Sequence, residues 1–135
     1  MEWRQKINEC VMESKKKILI VDDKSIIAKV VSLHLKEYDC VYLSNPLQCI
    51  KWLSTNNLPD LIVTDLRMPE MSGREFLAYL KNNEFYKDIP VIILSAEDST
   101  TDRIRLLEEG AVDYIVKPFN PLELKTRIKN VLMRE

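Results

Sequence analysis

The stretch Leu61-Ile62-Val63-Thr64-Asp65-Leu66-Arg67-Met68-Pro69 decides how this chain is read. Its opening residues have the apolar, β-branched character of a strand covered on both faces, and a carboxylate closes the run. A carboxylate in such a place is costly unless something pairs with it. The chain offers that something twice. Ile18-Leu19-Ile20-Val21 runs into Asp22-Asp23, and Tyr114-Ile115-Val116 runs into Lys117-Pro118. Three acids and a lysine are therefore expected at one edge of a parallel sheet.

Working outward, apolar runs of strand length recur at Ile18 to Val21, Cys40 to Leu43, Leu61 to Thr64, Val91 to Leu94 and Val112 to Val116. Helical patterns lie between them, and several of their starts are legible. Asn45-Pro46-Leu47-Gln48 and Asn120-Pro121-Leu122-Glu123 put Asn at the N-cap, Pro at the first helical position and an amide or acid three residues after the cap. Ser72-Gly73-Arg74-Glu75 and Ser99-Thr100-Thr101-Asp102 repeat the device. Ile27, Val30, Val31 and Leu35 stand at helical spacing after Asp23, as do Leu124, Ile128, Val131 and Leu132 near the end. Five strands alternating with five helices give a doubly wound α/β domain with a five-stranded parallel sheet, of flavodoxin-like type. In such folds the site lies outside the carboxyl ends of the strands, where Asp22, Asp23, Asp65, Ser95 and Lys117 all fall.

The chain's bulk properties remove several classes of function. Its 135 residues suit one domain able to bury about two thirds of its unfolded surface. A net charge of −1 with interleaved signs leaves no basic stripe, so nucleic-acid binding by this chain is not expected. Cys10, Cys40 and Cys49 form no CxxC pair and indicate neither a disulfide framework nor a thiolate metal site. No apolar run is long enough to span a membrane and the N-terminus lacks a signal-peptide core, which gives a cytoplasmic reading. Two glycines, Gly73 and Gly110, cannot build a glycine-rich phosphate cradle. The single histidine, His34, falls inside the first helix and reads as a surface or partly buried residue. Residues 1 to 17 stand outside the α/β pattern. There Trp3, Ile7, Cys10 and Val11 could form one face of a short helix ahead of Lys15-Lys16-Lys17, either as a lightly docked extension or as a partner contact.

The acids define the chemistry. Carboxylates packed together repel, and a hard divalent cation relieves that tension by taking oxygen ligands. Mg²⁺ fits because it keeps several waters and needs few protein carboxylates beside phosphate oxygens. Lys117 supplies a compact positive charge for a phosphoryl group and the Ser95 hydroxyl can donate to it. An Asp in line with such a group is a nucleophile that forms an acyl phosphate. Taken singly, Asp22, Asp23 and Asp65 also read as caps of helices or turns, Ser95 as a turn residue, and Lys117 as a strand-end surface charge. Their joint placement on four strand ends argues against coincidence.

These residues, with Asp65-Leu66-Arg67-Met68-Pro69-Glu70-Met71-Ser72-Gly73, Leu94-Ser95-Ala96 and Gly110-Ala111-Val112-Asp113-Tyr114-Ile115-Val116-Lys117-Pro118-Phe119, resemble the receiver domain of two-component response regulators over about residues 16 to 134. The resemblance implies that Asp65 accepts a phosphoryl group from a histidine kinase or phosphotransfer protein. It further implies that Asp23 binds Mg²⁺ directly, Asp22 mainly through water, and the Arg67 backbone carbonyl completes the protein ligands. Ser95 and Tyr114 match the family's switch pair, in which the hydroxyl moves to the phosphoryl oxygen and the ring turns inward. Lys117-Pro118 would be cis, although about 5% of X-Pro bonds in folded proteins are. Arg67 and Glu97, two residues past the phosphoacceptor and the switch hydroxyl, would flank the route of the attacking water and set the lifetime of the phosphate.

The expectation is a self-phosphorylating switch rather than a turnover enzyme. Residues 1 to 15 would be an extension and residues 16 to 135 the receiver. Output would pass through the surface of the fourth helix, fifth strand and fifth helix, to a separate or missing output domain or to a second copy in a homodimer. Three rival readings compete with this one. A hydrolase of the haloacid dehalogenase type needs a second acid where this chain has Arg67. A phosphate-independent interaction module fits poorly with an intact Asp65, Ser95 and Lys117. A receiver belonging to a longer DNA-binding regulator differs in boundaries rather than chemistry.

Overall fold

The five apolar runs become strands β1 (Lys17–Val21), β2 (Asp39–Leu43), β3 (Leu61–Asp65), β4 (Val91–Ser95) and β5 (Asp113–Val116). Helices α1 (Ser25–His34), α2 (Pro46–Thr55), α3 (Gly73–Lys81), α4 (Thr100–Glu108) and α5 (Pro121–Leu132) alternate with them. The computed structural model describes residues 15–55 and 57–134, so the reading of Trp3, Ile7, Cys10 and Val11 lies outside the described residues. All strand pairs are parallel and the sheet order is β2-β1-β3-β4-β5. The strands match the sequence reading to within a residue at each end. The clearest difference is Val112, whose amide donates to Val91 at 2.8 Å although β5 proper begins at Asp113.

The period of two along each strand divides the core between the sheet's faces. Leu19, Val21, Ile62, Val91, Ile93 and Tyr114 pack with Cys49, Leu53, Phe76, Leu77, Leu80 and Leu106, under α2, α3 and α4. Ile18, Ile20, Leu61, Val63, Ile92, Leu94 and Ile115 pack with Val31, Leu35, Leu124, Ile128 and Val131, under α1 and α5. This two-sided burial is why strand sequences are continuously apolar rather than alternating. The edge strand β2 is the exception, with Asp39 and Tyr42 exposed.

The helix starts behave as read. Ser72 accepts from the Glu75 amide and Glu75 returns the bond, a complete capping box. Ser99 accepts from Asp102 and Asn120 from Leu122. Asn45 accepts from the Gln48 amide at 2.9 Å, but the Gln48 amide oxygen reaches past the cap to the Ser44 amide and hydroxyl, each at 2.9 Å. Removing one such cap costs about 1 kcal/mol. At the other end of α4, Gly110 takes φ +115° and closes the helix. Its amide bonds the Leu107 carbonyl and that of Ala111 bonds Leu106, the paired pattern that favours glycine after a helix. A methyl carbon on Gly110 would meet Lys81 Cγ at 3.0 Å. Lys81 closes α3, and its ammonium donates to the carbonyls of Lys87 and Ile89 at 3.0 and 2.9 Å.

Candidate phosphoryl-transfer site

Strand parity brings the charges together. Asp65 continues the Leu61 and Val63 side of β3, Asp22 follows the Ile18 and Ile20 side of β1, and Lys117 follows the Ile115 side of β5. All three groups thus emerge on the α1/α5 side of the sheet's carboxyl edge. Lys117 Nζ lies 3.1 Å from Asp22 Oδ2 and 3.2 Å from Asp65 Oδ1. Oxygens of Asp22, Asp23 and Asp65 lie within 4.8 Å of one another, the one such group of potential metal ligands among the described residues. The Asp22 and Asp65 side chains are 3% and 8% exposed, whereas Asp23 faces solvent.

Local hydrogen bonds fix these carboxylates. Asp22 Oδ1 accepts from the Lys24 amide at 2.8 Å, so this acid does cap a turn while its other oxygen meets Lys117. Asp65 Oδ1 accepts from the Leu66 amide at 2.9 Å. Burial pushes the Asp65 carboxyl above its ordinary value; Lys117 opposes that and Asp22 adds to it. The donor set, three hard carboxylates with one open to water, suits a Mg²⁺ ion that retains part of its hydration.

The remaining residues singled out in the sequence surround this cluster. Ser95 is 1% exposed; its hydroxyl accepts from the Glu97 amide at 3.0 Å and its carbonyl from the Lys117 amide at 2.7 Å. The Lys117–Pro118 bond is cis. Tyr114 is buried, with its hydroxyl donating to the Glu97 carbonyl at 2.8 Å. Arg67 pairs with Glu97 across the mouth of a cleft of about 540 Å³ between the turn after β3 and the start of α4. The structure thus joins Asp22 and Asp65 directly to Lys117, sets Asp23 within 4.8 Å of both acids, and ties Ser95, Tyr114 and Arg67 to one another through Glu97. His34 sits at the end of α1, partly buried and away from the site.

Sequence reasoning missed two participants. Arg103 in α4 holds its guanidinium 5.7 Å from the Tyr114 ring centroid and pairs with Asp98 at 3.1 Å, contacts that no local pattern announces. Gly73 stands in a motif that gives it no role, yet its amide donates to the Leu66 carbonyl at 2.7 Å, drawing α3 against the end of β3. Its rarity as one of two glycines was the available signal.

A parallel sheet in the order 2-1-3-4-5 with acids and a lysine converging at its carboxyl edge is the architecture of a phosphorylation receiver. Residues 18–129 match the family model of the response regulator receiver domain, and the chain belongs to that family. The phosphate regulon transcriptional regulatory protein PhoB of Pseudomonas aeruginosa is 42% identical over 121 residues, 88% of this chain and 52% of the relative. PhoB of Escherichia coli is 39% identical over 124 residues, with the same coverage of 88% and 52%. The chain spans about half the length of these relatives. Among solved structures, a Francisella response regulator receiver domain superposes with TM-score 0.81 at 35% identity, over 88% of this chain and 98% of that one. The chemotaxis response regulator CheY4 of Vibrio cholerae gives 0.80 at 29%, over 87% and 99%.

Proposed function

We propose that this domain is a phosphorylation-driven switch with Asp65 as the phosphoacceptor. The observation that carries the reading is the Lys117 ammonium 3.2 Å from Asp65, within a cluster of three aspartates. A carboxylate oxygen of Asp65 attacks the phosphorus of a kinase or phosphotransfer-protein phosphohistidine. The P–N bond breaks and its electron pair leaves with the imidazole. Lys117 neutralises charge on the transferred group, and the Ser95 hydroxyl turns from the Glu97 amide to donate to it. Asp22, Asp23, Asp65 and the Arg67 carbonyl would hold Mg²⁺, which supplies charge neutralisation. Tyr114 and the Glu97 backbone couple the site to the α4-β5-α5 surface, through which a partner is controlled or a homodimer formed.

The test is intact-mass spectrometry after incubation with acetyl phosphate. One phosphate is expected with Mg²⁺, none in Asp65→Asn and little in EDTA. Equal incorporation in EDTA or undiminished labelling of Asp65→Asn refutes the mechanism.

The two PhoB relatives carry names of transcriptional regulators, and half of their length lies beyond the match. This favours, as a second reading, a receiver whose output is a DNA-binding domain on the same polypeptide. Among the described residues no helix is long and apolar enough to cross a membrane, which accords with action in the cytoplasm.

A further inference from the structure

Among the described residues, the small polar side chains that are buried are Thr64, Asp65 and Ser95. Asp65 and Ser95 belong to the phosphoryl-transfer site. Thr64, wholly buried, precedes Asp65 in β3, in register with Val21 of β1 and Ile93 of β4. A buried hydroxyl is costly unless paired, and valine would fill the same space without that demand. The hydroxyl's partner therefore says what it is for.

That partner is the main-chain carbonyl of Asp65, which accepts from Thr64 Oγ1 at 3.1 Å. The period of two puts the Thr64 side chain on the side of the sheet covered by α2, α3 and α4, opposite the Asp65 carboxylate. Gly73, the first residue of α3, lies against the same carbonyl oxygen. The other end of that peptide unit is the Leu66 N–H, which is shared between the Leu94 carbonyl at 2.8 Å and Asp65 Oδ1 at 2.9 Å. Asp65 Oδ1 in turn meets Lys117 Nζ at 3.2 Å. The peptide is planar, so it cannot turn its carbonyl without turning its N–H. A line of bonds thus runs from the Thr64 hydroxyl through one rigid plane to the carboxylate oxygen that faces Lys117. With Oδ1 held by two donors, the orientation of the carboxylate is set, and with it the position of Oδ2.

We propose that Thr64 is a positioning residue for phosphoryl transfer: its hydroxyl locks the peptide plane between Asp65 and Leu66, and through the Leu66 N–H aims the Asp65 carboxylate at the incoming phosphoryl group. This rests on the reading of Asp65 as the phosphoacceptor. Without the hydroxyl the plane is free to tilt, and the carboxylate loses its alignment with the phosphorus.

Thr64→Val and Thr64→Ser separate the hydroxyl from the packing. Valine keeps the β-branched shape and lacks the donor, whereas serine keeps the donor and lacks the methyl. In metal-free protein the Leu66 amide should exchange hydrogen about tenfold faster in Thr64→Val than in the parent, as expected for one lost hydrogen bond. The Ile62 and Val63 amides should be unchanged, and Thr64→Ser should restore Leu66. With acetyl phosphate and Mg²⁺, Thr64→Val should label about tenfold more slowly, less than the ~100-fold that a misplacement of ~1 Å can cost, and Thr64→Ser should again recover the parent's rate. Parental exchange at Leu66 or parental labelling in Thr64→Val would overturn the proposal. So would faster exchange at Ile62, Val63 and Leu66 alike, or a serine variant no better than the valine one. Exchange needs neither metal nor phosphate. A parent that took no label would therefore count against the phosphoacceptor reading, and Leu66 exchange would still decide whether Thr64 holds the plane.

Discussion

Gly73 lies hard against the backbone of Asp65: a methyl carbon on it would stand 2.4 Å from the Asp65 carbonyl oxygen and 2.9 Å from the Leu66 Cα. Both obstacles are main-chain atoms that cannot rotate away, so any side chain there must displace the strand end that carries the carboxylate.

Gly73→Ala is therefore expected to cost about 1–3 kcal/mol, as forced expansion of a packed site does. It should also weaken Mg²⁺ binding, because the strand end that moves carries Asp65. Thermal melts and a Mg²⁺ titration followed by NMR check both effects; an unchanged affinity would show that the acids do not depend on this contact.

Asp65→Asn should raise the melting temperature at neutral pH in the absence of metal. The folded state raises the pKa of Asp65 above the ordinary 3.8, chiefly through burial, so the folded chain binds the proton more tightly than the unfolded chain. Ionised Asp65 thus costs stability above its raised pKa, and that cost disappears as the pH falls through it. The advantage of the Asn variant should shrink across the same interval. Melts between neutral pH and about pH 3 check this, and an advantage that grew on acidification would contradict it.

Lys117→Ala is expected to accept phosphate more slowly and to fail to switch. Its ammonium ties β5 to Asp22 and Asp65, so without it the new charge has no grip on the fifth strand. NMR shifts on beryllofluoride addition are the readout. Movement of the Ser95 to Ala111 segment equal to the parent's would remove Lys117 from the coupling.

The Arg67–Glu97 pair predicts a slow loss of phosphate. The two side chains are 75% and 37% exposed, so their attraction contributes ~0.2–1 kcal/mol at most and the effect expected of them is to obstruct water. Arg67→Ala and Glu97→Ala should each speed dephosphorylation, and the double variant should add nothing further. Unchanged rates in both single variants would assign the lifetime to something else.

Much of this molecule was legible because its signals are local. Continuous apolar runs specify strands buried on both faces, and Ser72, Ser99 and Asn120 cap the helices they precede. The convergence of Asp22, Asp65 and Lys117 followed from strand ends sharing one edge. What stayed hidden depends on three-dimensional proximity. The ring of Tyr114 under Arg103, the bond from its hydroxyl to Glu97 and the bidentate pairing of Arg74 with Glu109 join residues far apart in sequence, each polar enough to read as surface. Gln48 stands three residues after its cap, as read, and its side chain is long enough to take the Ser44 amide rather than that of Asn45, a choice sequence does not announce.

Both glycines of the chain lie beside α3, one at each end: Gly73 begins it against the Asp65 backbone, and a methyl carbon on Gly110 would meet the flexible side chain of Lys81, which finishes it. The first turn of the helix therefore lies against main-chain atoms, whereas its last residue meets Gly110 only through a flexible side chain. Close-packed interiors transmit strain rather than absorb it, so a displacement begun at Asp65 is expected to reach α3 through Gly73. Across the cleft, the segment between Ser95 and α4 is held by side-chain tethers at Arg67, Arg103 and Tyr114. The cleft thus has one wall built on main-chain contact and one held by side-chain tethers, and the second is the wall expected to move when Asp65 is phosphorylated.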